Sequence, residues 1–333
     1  MIEQLVLQLA RATGMDPLDI YDIASSAPRR YKTFSVLKKD GVSRREISQP
    51  AREVKVLQRA FSDLFLSTLP VHHCATAYRA RPGLSLRDNV LPHAANGPIL
   101  KMDFRNFFPS IKGADWVSFC REREMFASED DLYLSELLLF RRTAKGRPLS
   151  LAIGAPSSPL LSNILLYDLD ERLFREVGDR YVTYTRYADD MTFSAPRTGF
   201  LQGVQSIVAR AVRETKRPNL DLNPDKTRFV TTKFNRNVTG LTISLDGRVT
   251  AGQYRKRQIR AGIYRFTRKE LDAASAVRLA GLIAFVNSVE PGFIDKLRVK
   301  HGEEVVAEIT RQAIKRKGCG RITDDENDTV PSS

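Results

Sequence analysis

Asp189 and Asp190 stand together inside an otherwise apolar run, Tyr184-Thr185-Arg186-Tyr187-Ala188-Asp189-Asp190-Met191-Thr192-Phe193. Aspartate has a low strand propensity and adjacent carboxylates repel each other. Setting both between two strands is unfavourable unless a cation compensates. A divalent ion does so naturally, because Mg²⁺ takes carboxylate oxygens together with phosphate oxygens of a substrate. Successive strand residues face opposite sides, so the chain must bend for both acids to reach one ion. Bridging two ions needs a third carboxylate, and Asp103, the lone acid of the apolar stretch Ile99 to Phe104, can supply it. Two ions about 3.5–4 Å apart would clamp the attacking and leaving oxygens of an in-line phosphoryl transfer. A solvated turn accounts for an Asp-Asp pair as readily. The apolar flanks and the second acid-tipped strand bring the two readings level.

The elements that must position these acids are legible from pattern. Tyr31 to Lys39 and Val42 to Ser48 read as a hairpin around Asp40-Gly41. Ala51 to Leu69 carries Val54, Leu57, Phe61, Leu64 and Phe65 at helical spacing. Ile99 to Phe104 is a short strand, and Trp116 to Phe126 and Asp131 to Phe140 are helices. Ser158 serves as N-cap and Pro159 as first residue of a helix running to about Val177. Tyr181 to Ser194 gives two strands around a tight turn at Ala188 to Asp190, and Leu201 to Arg217 a helix. Phe229 to Thr231 and Val238 to Ile243 are short strands, and the chain from Tyr254 onward is helical and basic. Hairpins without a regular βαβ repeat favour an α+β fold with a mixed or antiparallel sheet.

The 333 residues hold 53 Lys and Arg against 39 Asp and Glu, a net charge of +14 and a pI near 9.8. The last fifteen residues hold one Arg and four acids, so the excess sits in the body of the chain. Such an excess points to a polyanion, with nucleic acid the first candidate. No run is long and apolar enough for a membrane span. The N-terminus lacks the marks of a signal peptide, and three scattered cysteines suit a reducing cytoplasm. His72-His73-Cys74 has no partner pair at metal spacing and reads as strand or loop.

Tyr187-Ala188-Asp189-Asp190 resembles the catalytic signature of reverse transcriptases. Asp103-Phe104-Arg105-Asn106-Phe107-Phe108-Pro109-Ser110-Ile111 resembles the family's first palm motif. Gly154-Ala155-Pro156-Ser157-Ser158-Pro159 followed by Leu161-Ser162-Asn163 resembles the second, and Asn223-Pro224-Asp225-Lys226-Thr227 the fourth. Two further segments resemble the bacterial retron branch: Asn89-Val90-Leu91-Pro92-His93, with Val90 where that branch has Ala, and Val238-Thr239-Gly240. The likeness spans roughly residues 28–300. One departure is Ile153, where the family often has Gln before the glycine of the second motif.

The resemblance implies a right-hand fold: N-terminal helices and fingers over 1–98, palm over 99–245 with a fingers portion about 112–155, a short helical thumb over 246–318, and an acidic, disordered tail over 319–333. It implies two Mg²⁺ ions held by Asp103, Asp189 and Asp190 with the backbone carbonyl of Phe104, and Phe108 as a sugar gate against the 2′-hydroxyl. Lys39 and Arg45 would hold the triphosphate, Gly154 would let the backbone approach a base pair, and Lys226 would protonate pyrophosphate. Asn89, His93, Arg255, Lys256, Arg257, Arg260 and Arg265 would serve nucleic-acid binding, the last five on a segment with seven cations to one acid. The activity implied is RNA-directed DNA synthesis on a cognate structured non-coding RNA serving as template and primer. Synthesis would start from an RNA 2′-hydroxyl and give a branched RNA–cDNA hybrid, in antiphage defence with an accessory effector protein and no membrane. The alternatives are a group II intron or phage-exclusion reverse transcriptase, or a catalytically silent RNA-binding scaffold.

Overall fold

A computed structural model describes residues 4–37, 41–79, 85–144 and 146–319, with the backbone alone over 312–319. The chain forms two compact units, Met1–Leu84 with Ala95–Thr231, and Ser85–Ala94 with Thr232–Ser333. The division falls at 231, and the ten residues Ser85–Ala94 join the C-terminal unit. The acidic tail beyond Cys319 lies outside the described residues.

The first unit begins with α1 (Gln4–Thr13) and α2 (Pro17–Ser26). Asp16 caps α2 by accepting from the Leu18 N–H at 2.8 Å, with Pro17 at the first helical position. The hairpin β1 (Tyr31–Leu37) and β2 (Arg44–Pro50) follows, then α3 (Arg52–Leu64), which buries Val54, Leu57 and Phe61. The pairing runs from Tyr31↔Pro50 to Leu37↔Arg44, so the two strands form an antiparallel hairpin. The backbone of Gly41 is left-handed, at φ 69°. Residues 38–40, Lys39 among them, lie outside the described residues.

After α4 (Leu86–Val90), which belongs to the second unit, the first continues with β3 (Ile99–Arg105), α5 (Phe107–Ser110), α6 (Gly113–Glu122) and α7 (Glu129–Leu139). Next come α8 (Ser158–Leu165), α9 (Tyr167–Gly178), β4 (Thr183–Tyr187), β5 (Asp190–Ser194), α10 (Val204–Glu214), β6 (Asp221–Leu222) and β7 (Arg228–Val230). The five strands from β3 to β7 make one antiparallel sheet in the order β4-β5-β3-β6, with β7 also on β3. This is the α+β architecture expected. Helices cover the sheet through a core that includes Phe61, Phe104, Trp116, Phe140 and Phe193.

The single helix expected from Ser158 to Val177 is two helices broken at Leu166. At 3.6 residues per turn, the stripe Leu169, Leu173, Val177 lies roughly a third of a turn round from Leu161, Ile164 and Leu165. One straight rod could not bury both. Ser158 lies inside α8 instead of capping it.

The second unit holds β8 (Arg236–Val238), β9 (Leu241–Ile243) and β10 (Val249–Thr250) as an antiparallel sheet, then α11 (Gln253–Thr267), α12 (Ala273–Val289), α13 (Pro291–His301) and α14 (Glu303–Cys319). The segment Val238 to Ile243 is a hairpin turn and not one strand. Thr239 (φ 45°) and Gly240 (φ 85°) are both left-handed, which turns the chain between Val238 and Leu241. No described helix is long and apolar enough to cross a membrane.

Candidate active site

The sheet register brings the acids together. Asp103 on β3 pairs directly with Asp190 on β5, and Asp189 sits in the two-residue turn before it. Ala188 takes φ 58° to make that turn, a conformation that costs an ordinary residue roughly 1–2 kcal/mol. The Phe104 N–H donates to the Asp189 carbonyl at 3.2 Å and so ties the end of β3 to the turn. Asn106, at φ 49°, then bends the chain sharply into α5, which carries Phe107 and Phe108.

Electrostatics record the crowding. Burial and then the Asp103 charge push the Asp189 carboxyl above its ordinary value. Burial, Asp189 and a side-chain hydrogen bond with Asp103 push Asp190 up to about 6. Lys226 supplies one cation, with its Nζ 2.8 and 2.9 Å from the two Asp103 carboxylate oxygens. Burial alone would lower the Lys226 pKa; Asp103, Asp189 and Asp190 raise it, so the ammonium stays charged. The cleft containing Asp103, Asp190, Lys226, Lys101 and Arg228 has a volume of about 310 Å³. Among the described residues no three His, Cys, Asp or Glu side chains are already arranged around an ion position. The donor set nonetheless fits a hard divalent ion: three carboxylates lie close together, two have pKa values raised by burial and then by their neighbours' charge, and a lysine ammonium neutralises the third.

The remaining expected residues are placed as follows. Arg45 is exposed on β2, and its charge reaches Asp189 and Tyr78. Phe108 is half-buried, at 5.2 Å from the ring of buried Phe107. Gly154 has φ 121°, and a Cβ there would meet the Ser48 carbonyl oxygen at 2.9 Å. The close approach that demands glycine is therefore to β2, where the Ser48 N–H also donates to the Ile153 carbonyl at 2.8 Å. That backbone bond is open to any side chain at 153, so Ile serves it as well as Gln.

In the second unit, the Asn89 amide donates to the Thr239 hydroxyl at 3.4 Å, joining the two segments that resemble retron motifs. Asn89 and His93 are buried, at 1% and 0% exposure. Neither side chain reaches the surface of this unit. Lys256 is buried and paired with Glu290 at 2.6 Å, and it also lines the cavity of this unit. Arg255 donates to the carbonyls of Gly240 (2.7 Å) and Ala251 (2.9 Å) and thereby fastens the hairpin to α11. Arg257, Arg260 and Arg265 are exposed. A cavity of about 1440 Å³ in this unit is lined by Arg87, Arg248, Arg255, Arg260 and Lys296 among others, a setting suited to a polyanion.

His93 permits a direct pH test. Burial pushes its pKa down to about 3, against about 6.5 in an unfolded chain. Below pH 6.5 the unfolded state binds the proton that the folded state refuses. Stability is therefore full above that value and falls by about 1.4 kcal/mol per pH unit as pH drops toward 3. In urea unfolding, the stability that wild type holds over His93→Gln is expected to shrink by about 2 kcal/mol between pH 7 and pH 5. A pH-independent difference would refute this protonation state.

Two groups beyond the expected site residues support the turn and its neighbours. Arg186 and Asp170 form a fully buried ion pair at 2.5 Å, and Arg186 also donates to Asn163 Oδ1 and the Ala188 carbonyl, each at 3.1 Å. Asp170 was findable as the one acid on the stripe of Leu166, Leu173 and Val177. Tyr78, at φ 59° beside Phe108, carries no sequence signal. His72, buried, bonds Glu171 at 2.9 Å and the Cys74 sulfur at 3.0 Å, an internal role consistent with the absence of metal spacing.

Such a sheet, with two acids paired across neighbouring strands and a third in the tight turn beside them, defines a nucleotidyl-transfer palm. Residues 36–243 match the reverse transcriptase (RNA-dependent DNA polymerase) family. The chain is 30% identical over 291 residues to the retron Ec83 reverse transcriptase of Escherichia coli, covering 87% of this chain and 92% of that one. The retron Mx65 reverse transcriptase of Myxococcus xanthus is 33% identical, over 81% of this chain and 64% of its own length. The retron Ec73 reverse transcriptase of Escherichia coli is 31% identical, over 84% and 89%. The chain belongs to the retron reverse transcriptases, RNA-directed DNA polymerases that work on RNA and DNA.

Proposed function

We propose that this reverse transcriptase copies its own structured non-coding RNA, which serves as both template and primer. Synthesis starts from the 2′-hydroxyl of an internal guanosine and yields a branched RNA–DNA hybrid. The reaction takes place in the cytoplasm, and the hybrid acts with an accessory effector protein in antiphage defence. The observation that carries DNA synthesis is the register pairing of Asp103 with Asp190 beside the Asp189 turn. The junction of Asn89 with Thr239 supports the retron mode of RNA use, because both motifs lie in the unit that holds the basic cavity.

Asp103, Asp189 and Asp190, with the backbone carbonyl of Phe104, would hold two Mg²⁺ ions. When bound, these lower the cost of deprotonating the primer hydroxyl and of charge on departing pyrophosphate. Arg45 neutralises the triphosphate, with a guanidinium able to bind in bidentate fashion; Lys39 is proposed for the same task. Lys226 holds a proton near the leaving group. Phe108 closes the space a ribose 2′-hydroxyl would need, and Arg257, Arg260 and Arg265 follow the phosphate backbone.

Sequencing the nucleic acid that co-purifies with the protein tests this reading. One short structured RNA joined through a 2′ linkage to DNA is expected. Intron RNA or protein-primed DNA would assign the chain to the group II intron or phage-exclusion mode instead. Failure of the wild-type protein to extend its RNA with dNTPs and Mg²⁺ would leave it as a binding scaffold.

A further inference from the structure

Tyr78 takes φ 59° although it is neither glycine, asparagine nor aspartate. A left-handed aromatic residue persists only where its surroundings over-determine it. A set of hydrogen bonds holds the segment before it, three of them central. The Thr76 N–H donates to the Arg186 carbonyl at 2.9 Å, the Asn163 amide to the Ala77 carbonyl at 2.8 Å, and Arg79 Nε to the Ala75 carbonyl at 2.8 Å. Arg186 and Asn163 are the residues that also bond each other beneath the Ala188 turn. One buried network therefore sets the catalytic turn and aims Tyr78.

The ring it aims is poorly explained by packing. It is 43% exposed, yet its centroid lies 6.4 Å from Phe108 and 6.4 Å from Tyr187. It borders a cleft of about 440 Å³ that also contains Arg59, Pro156 and Pro159. Phe108 itself has two rings beside it, the buried Phe107 at 5.2 Å and the strained Tyr78 at 6.4 Å. Phe107 is fixed by the core, where it stacks on Phe104 at 5.7 Å. Among the described residues Tyr78 is the other ring beside Phe108, so it stands where it can limit tilting of the Phe108 ring.

We propose that Tyr78 is a positioning residue that braces Phe108 and thereby sets the discrimination between deoxynucleotides and ribonucleotides. This rests on the reading of Phe108 as the sugar gate. A gate excludes a hydroxyl only if it cannot yield, and a ring braced on one side alone yields at the small cost of a side-chain rotation. The strain at Tyr78 has a function in this view: relaxing it would swing the brace away.

The test is the ratio of kcat/KM for dGTP to that for GTP on a poly(rC) template primed with oligo(dG). Both values come from one preparation, so the ratio does not depend on how much of a variant has folded. Tyr78→Ala and Tyr78→Gly are expected to lower the ratio roughly tenfold, and Tyr78→Phe, which keeps the ring, to restore it. Phe108→Ala should lower it further, and adding Tyr78→Ala to Phe108→Ala should change it no more, since the two act as a unit. An unchanged ratio in Tyr78→Ala, or a double variant whose losses multiply, would overturn the brace. An unchanged ratio in Phe108→Ala would remove the gate, and the brace with it. Failure of the wild type to incorporate dGTP would instead remove the polymerase reading.

Discussion

Asp189→Asn is expected to reduce DNA synthesis by roughly 10³-fold or more while leaving RNA affinity within about twofold. The substitution keeps shape and removes charge. An amide is a poorer ligand for a hard divalent ion than a carboxylate. It also relieves repulsion. In the wild type, burial and the Asp103 charge raise the Asp189 pKa, and Asp190 is pushed up to about 6. A carboxyl raised above its unfolded value binds its proton more tightly when folded. Its contribution is fully present below pH 3.8 and is lost as pH rises through about 6. At pH 7 the ionised Asp190 therefore costs stability in the metal-free protein, and the substitution relieves the share owed to the Asp189 charge, which is second to burial. The inactive variant should melt higher than the wild type in EDTA, and Mg²⁺ should narrow the gap by stabilising the wild type more. Unimpaired synthesis by Asp189→Asn would sink the metal assignment. A lower melting temperature would mean that the acids are not in conflict.

The largest effect on stability is expected from Asp170→Ala, about 3–5 kcal/mol in urea unfolding. Both partners of the Asp170–Arg186 pair have 0% exposed side chains. Burial alone would lower the Arg186 pKa, and the adjacent Asp170 charge more than offsets it, so the guanidinium stays charged. Asp170 also accepts from the Tyr184 hydroxyl at 2.9 Å. Truncating it leaves a charged guanidinium and a phenol buried without their acceptor, which is far worse than removing the pair together. The double variant Asp170→Leu with Arg186→Met should regain most of the lost stability. It should not regain synthesis, because the Ala188 carbonyl loses the donor that fixes a left-handed turn next to Asp189. Stability and activity recovering in parallel would assign the pair a purely structural role.

Much of this protein is written locally. The period of apolar residues in α3, the Asp40-Gly41 pair between strands β1 and β2, and the Asp189-Asp190 turn are short-range features, each readable within about twenty residues. The motifs that resemble the reverse transcriptase family supplied Asp103, Asp189, Asp190 and Lys226 in order; the pairing of Lys226 with Asp103 belongs to the fold. Helix α8 shows the limit of that reading. Nothing but the drift of its apolar stripe marks the break at Leu166, and that drift matters only once both halves must face the core.

What tertiary structure alone decided is which side chains meet. The sequence by itself determined that Asp103, Asp189 and Asp190 were acids at strand ends; the β3–β5 register made Asp103 and Asp190 partners. It determined that the segment from Tyr254 was basic; folding turned Lys256 inward to Glu290 and Arg255 onto Gly240, and left Arg257, Arg260 and Arg265 outside. It offered Asn89 and His93 as RNA contacts; folding buried both. The physical reason is common to all three. Charge and propensity belong to a residue, but burial and pairing belong to contacts between segments up to about 150 residues apart, as with Asn89 and Thr239. Tyr78 is the extreme case, since its strained backbone and its place against Phe108 depend on Arg186 and Asn163, which no local pattern connects to it.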